Sequence, residues 1–329
     1  MINPQQMATN KPANANDEDL FDGMSNISMP IDQPTSMSYC VQRIRLGEIC
    51  REISDSIPFL EIGPGDPHYE MIKHFDKRIC EFAEGMPPFF SLDRDTHQLP
   101  DSDRHKSSGI SIQRYIINSL LYTQRCRLHL PYLSRAASEP TYAYSRIACL
   151  EAARMIIRTE ARLSAEKFPF VLTRFKFSGG LYCVCMAIIV LLMDLCQNKT
   201  MRPEDDRELR AETFQAFGIL EEAQGHSPFA GKLLKSFHAI ISRNKIPIST
   251  AENKLAGQPR TQSRSGREST HNSTLTPVST EAEMETTTID ASLPCFEDIW
   301  QTFDASVDPS TLFDWNALLS ELDSPFLSI

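Results

Sequence analysis

The 329-residue sequence lacks the local spacings that catalysis and metal binding usually need. It holds no Cys-x-x-Cys with a second Cys or His pair behind it, no His-Glu-x-x-His, no Gly-x-Ser-x-Gly elbow and no glycine-rich phosphate loop. Cys183 and Cys185 are the closest thiols, yet on a helix residues two apart diverge by about 200°, so they cannot share an ion. No catalytic residue, cofactor ligand or metal ligand is therefore expected. His129, in the run RLHLPYL, is the most interior-looking histidine; no Asp or Ser stands beside it in sequence, so it reads as a hydrogen-bonded core residue.

An excess of positive charge is missing too. The chain carries 33 basic and 43 acidic residues, for a net charge of -10. Residues 281–329 alone contain eleven acids and neither Lys nor Arg, so residues 1–280 are close to neutral. Such a body has no net field to attract a polyanion, and strong electrostatic binding to nucleic acid is not expected. Nor does the polar opening, MINPQQMATNKPANANDEDL, fit a secretory leader. Nine cysteines, an odd number scattered through apolar contexts, read as reduced thiols of an intracellular protein.

No apolar run reaches the roughly 20 residues that a membrane helix needs. The nearest is Phe177 to Met193, uncharged and bounded by Lys176 and Asp194. An all-round apolar helix belongs in a core or a membrane, and the shortness of this one favours a central helix buried on all sides.

What the sequence does have is helical periodicity from Met37 onward, with apolar residues every three or four positions. Leu46, Ile49, Ile53 and Ile57 form one stripe, ended by Pro58. Tyr69, Ile72, Phe75, Ile79 and Phe82 form a second, closed by Gly85 and Pro87-Pro88. Residues 91–108 are polar and read as a loop. Ile112, Ile116, Ile117, Leu120, Leu121 and Leu128 mark a long helix ending at Pro131, and Tyr144, Ile147, Leu150, Ala153, Ile156 and Ile157 mark another. After the apolar helix, Pro203 and Pro228 open two more, the first with Glu204, Asp205 and Asp206 where the helix dipole favours negative charge. No stretch alternates with period two. The expected fold is all-α, an irregular multi-helix bundle over residues 37–245, behind a mostly disordered lead-in at 1–36 and ahead of a disordered Ser/Thr-rich linker at 246–290.

Residues 291–329 are different in kind. Phe296, Trp300, Phe303, Leu312, Phe313, Trp315, Leu318, Leu319, Leu322 and Phe326 are interleaved with acids, and both tryptophans of the chain are among them. Acidic charge keeps bulky apolar groups solvated, and Trp315, Leu319 and Leu322 would share a face if this segment became helical on a partner. That pattern suits an activation segment that binds other proteins. The alternative is a terminal helix that docks on the protein's own core.

The ordered set ANANDEDL, PTSMSYCVQRIRLGEICREISD, HYEMIKHFDKRICEFAEGMPPFFSLD and SIQRYIINSLLYTQRCRLHLPYLSRAASEPTYAYSRIACLEAARMII resembles the regulatory middle homology region of fungal zinc-cluster transcription factors, from about Ala13 to Phe237. The resemblance implies an all-helical regulatory domain of a nuclear regulator, often tied to a metabolic gene cluster. Coactivators or the transcription machinery would be its partners, with dimerisation on a related factor and a small apolar inducer as further expectations. The family's six-cysteine zinc spacing does not occur in this sequence, so direct DNA binding by this chain is not expected. A fragment of a longer zinc-cluster factor is one alternative; a helical enzyme, or a membrane-associated protein using helix 177–195, is another.

Overall fold

The computed structural model describes residues 9–21, 28–56, 68–92, 104–167, 169–176, 178–197, 203–243 and 246. Among them the fold is all-α: α1 (Ser38–Ser56), α2 (Tyr69–Glu84), α3 (Arg104–Leu133), α4 (Ala143–Ala165), the short α5 (Pro169–Thr173), α6 (Ser178–Gln197), α7 (Pro203–Ala223) and α8 (Pro228–Arg243). The linker and the acidic segment lie outside the described residues.

At the centre is α6, the uncharged run of the sequence. From Leu181 to Leu195 nearly every side chain is buried, packed against α3, α4 and α7. Gly179–Gln197 is long and apolar enough to cross a membrane, but 83% of it is buried inside the fold. Its one acid, Asp194, is wholly buried and held by Arg146 of α4 through two bonds, Nε to Oδ1 at 2.6 Å and Nη2 to Oδ2 at 2.8 Å. A paired carboxylate can stay ionised in an interior where a lone one could not.

Three differences from the periodicity follow from packing. Helix α3 starts at Arg104, inside the stretch read as loop, and runs two residues past Pro131. Proline near the end of a helix removes one backbone bond while keeping a helical φ, so the last turn survives. On α4, Ile147 points outward and is 54% exposed, and Tyr144 is 42% exposed with only its hydroxyl turned inward, to Asp76. Leu150, Ala153, Ile156 and Ile157 of the same stripe are buried as expected, and the buried face also takes in the smaller Ser145, Ala148, Cys149 and Ala152, which let α3 approach closely. At that approach Cys126 and Cys149 point their thiols at each other's backbone carbonyls, 3.7 and 3.6 Å away.

Part of the lead-in is built into the fold. The Asn14 amide donates to the carbonyls of Met29, Pro30 and Gln33, and its Oδ1 accepts from Thr35 and Ser38, closing a clip before α1. Asn16 and Asp19 cap the turn Asp17–Asp19 next to it.

Candidate functional site

The polar heart of the molecule lies where α2, α3 and α4 meet. Along α3, residues 117, 121, 125, 128 and 132 recur at helical spacing on the side that faces α2. Ile117, Leu121, Leu128 and Tyr132 are apolar members of that stripe, but Arg125 takes one of its positions. Opposite it α2 supplies Asp76, in the middle of a stripe formed by Ile72, Phe75 and Ile79. Two charged residues on two apolar faces have one stable solution, which is to find each other.

Arg125 clasps Asp76 with Nε to Oδ1 at 2.7 Å and Nη2 to Oδ2 at 3.2 Å, and its Nη1 reaches Glu151 of α4 at 3.2 Å. The Tyr144 hydroxyl donates to Asp76 Oδ2. His129 Nε2 lies 3.1 Å from Asp76 Oδ1, at an angle too oblique for a straight hydrogen bond. On its other side His129 Nδ1 is 2.9 Å from Ser145 Oγ, which is 3.0 Å from the Tyr69 hydroxyl. Around this chain three tyrosines pack as a triangle: the Tyr69 ring lies 5.0 Å from Tyr132 and 4.7 Å from Tyr142, which are 5.3 Å from one another.

Burial pushes the Asp76 carboxyl up, but the nearby His129 ring and the bonds from Arg125 and Tyr144 outweigh it and hold the group well below the usual carboxylate range. Burial, reinforced by the Asp76 carboxylate, pushes Tyr144 up to about 12. Burial works against the Arg125 charge, yet the Asp76 pairing raises its pKa further above an already high value.

Ser145, His129 and Asp76 are the residue types of a nucleophile, a base and an orienting carboxylate. Chemically they are closed off. All three are fully buried, and the serine hydroxyl is shared between the imidazole and Tyr69. What the arrangement can do is fasten three helices in one register. His129, read as a core residue without sequence neighbours to bond it, is indeed buried, but it has both an Asp and a Ser partner. Those partners are 53 and 16 residues away in the chain, too far for local spacing to reveal.

The residues expected to bind partners, Phe296, Trp300, Phe303, Leu312, Phe313, Trp315, Leu318, Leu319, Leu322 and Phe326, lie outside the described residues. The motifs of the family resemblance do come together. Tyr69 and Asp76 belong to HYEMIKHFDKR, Arg125, His129 and Tyr132 to RCRLHLPYL, and Tyr142, Tyr144 and Ser145 to YAYSR. Three segments that look unrelated in sequence are thus one structural unit.

Known proteins are similar in sequence. The probable transcription factor lepB of Aspergillus flavus is 32% identical over 98% of this chain. The chain is a homologue of fungal transcription factors. The agnestins biosynthesis cluster transcription factor AgnL11 of Paecilomyces divaricatus is 30% identical over 75% of the chain, and the Zn(2)-C6 fungal-type transcription factor pigI of Monascus ruber is 29% identical over 51%. The chain spans 57% of the length of lepB and 35% of that of AgnL11. No family model and no solved structure matches, so the fold of this fungal transcription factor homologue rests on its own helices.

Proposed function

We propose that this chain is the regulatory part of a fungal transcriptional regulator, working in the nucleus through contacts with other proteins. The observation that carries the reading is the similarity to lepB, which extends over 98% of the chain and so takes in the helical body together with the acidic segment. In this reading the helical body, fastened at Asp76, is the regulatory portion. Residues 291–329 are the activation segment, with Trp315, Leu319 and Leu322 as its apolar contacts to a coactivator. AgnL11 is named for a biosynthesis cluster, and control of such a cluster is the role proposed for this chain as well. Disruption of the gene, followed by transcript profiling, tests the reading: transcripts of one contiguous set of metabolic genes are expected to change together. An unchanged transcriptome under conditions in which the protein is made would overturn it.

A further inference from the structure

Among the described residues the two larger of three hydrophobic clusters lie on either side of α3, the small third being Leu92, Tyr115, Leu163 and Val171. Leu46 and Ile49 of α1, the stripe of α2, Phe89 and Phe90 pack on the α3 side that carries Ile117, Leu121, Leu128 and Tyr132. The other side, with Cys126, Leu130 and Leu133, belongs to a larger cluster built on α4, α6, α7 and α8. Among the described residues Tyr122 packs against both clusters. The extensive packing of α1 and α2 is on one another and on α3, whereas α6 packs on α3, α4 and α7.

Helices α1 and α2 are also joined to each other by more than apolar contact. Arg78 of α2 pairs with Glu52 of α1, and the Arg45 guanidinium of α1 lies 5.8 Å from the Phe82 ring centre of α2. What α2 presents toward α4 is polar and directional: Asp76 to Tyr144, and Tyr69 to Ser145. A seam of this kind has made and unmade states. Breaking one bond strands buried partners, so the bonds form and fail together.

We infer that α1 and α2 form a two-helix flap that opens as a unit against α3, with Asp76 as its latch. Opening uncovers Ile117, Leu121, Leu128, Tyr132 and Tyr142, an aliphatic and aromatic surface that is buried when the flap is closed. The second cluster, centred on α6, stays folded as it does so. The flap gives the molecule two states that differ in a defined apolar surface, which is the physical requirement for a conformational switch.

Hydrogen exchange of the full chain across a series of sub-denaturing urea concentrations tests the inference. Amides of residues 42–56 and 73–84 are expected to exchange through one shared opening at lower urea than those of 182–195. Asp76→Asn is expected to speed exchange of the first two segments at least tenfold while they still open at lower urea than 182–195, and Ile188→Ala, in α6, to speed exchange of 182–195 while leaving the first two segments unchanged. Should Asp76→Asn fail to fold, Tyr144→Phe decides, with the same pattern at smaller amplitude. Exchange of all these helices through a single global unfolding in the unsubstituted protein would overturn the inference. So would an Ile188→Ala variant that speeds exchange of α1 and α2 as much as that of α6.

Discussion

Asp76 Oδ1 lies 2.7 Å from Arg125 Nε, and this contact joins residues 49 positions apart. The aspartate is fully buried and the arginine side chain 12% exposed. Removing one partner of such a pair leaves an uncompensated charge in the interior, at a cost of about 3–5 kcal/mol. Asp76→Ala and Arg125→Met are each expected to lower the unfolding free energy by about that much. The double substitution should cost far less than the sum, because it leaves no stranded charge. Urea denaturation followed by circular dichroism measures all three.

The same node makes stability depend on pH at both ends. Asp76 titrates lower in the folded protein than in the unfolded chain, so its contribution is present above the unfolded carboxylate value of about 4 and is lost as pH falls below it. Tyr144 titrates higher when folded, at about 12, so its contribution is complete below the ordinary tyrosine value of about 10 and disappears between about 10 and 12. Stability measured from pH 3 to 11 should therefore fall at both ends. Tyr144→Phe is expected to flatten the alkaline limb, and Asp76→Asn the acid one.

Helix α6 has its own charge to keep satisfied. Arg146→Met strands the buried Asp194 carboxylate and is expected to cost about 3–5 kcal/mol. Ile188→Ala, fully buried on the same helix, should cost about 2–5 kcal/mol through lost burial and the cavity left behind. Both are read by urea denaturation of detergent-free protein.

The close approach of α3 and α4 depends on small side chains. Ala152 is fully buried at that approach, and Ala152→Leu is expected to destabilise by about 1–3 kcal/mol as the helices are forced apart. Ile147→Ala, outward on the same helix, should change stability by under about 1 kcal/mol. A pair of thermal melts checks the contrast.

These contrasts also mark what was legible in the sequence. The helices were, because 3.6-residue periodicity is a local signal, and α6 was, because its composition is apolar on every side. The placement of Tyr144 and Ile147 was not. Periodicity counted them as core residues along with Leu150, Ala153, Ile156 and Ile157, which are buried, but it passed over Ala148, Cys149 and Ala152, whose small size matters only once α3 is in place. The polar node was hidden for the same reason. Asp76 and Arg125 stand in no local motif that pairs them, and an isolated His129 showed no partner. One signal pointed there: each charge interrupts an apolar stripe at a position that should have been hydrophobic.

The regulatory reading is tested most directly by tethering. Residues 1–329 are fused to a heterologous DNA-binding domain and assayed on a reporter in fungal cells, beside the same fusion carrying Trp315→Ala and Leu319→Ala. The expected result is activation by the first and its loss in the second at equal protein level. A reporter that stays silent with both fusions, each present in the nucleus, would contradict the account.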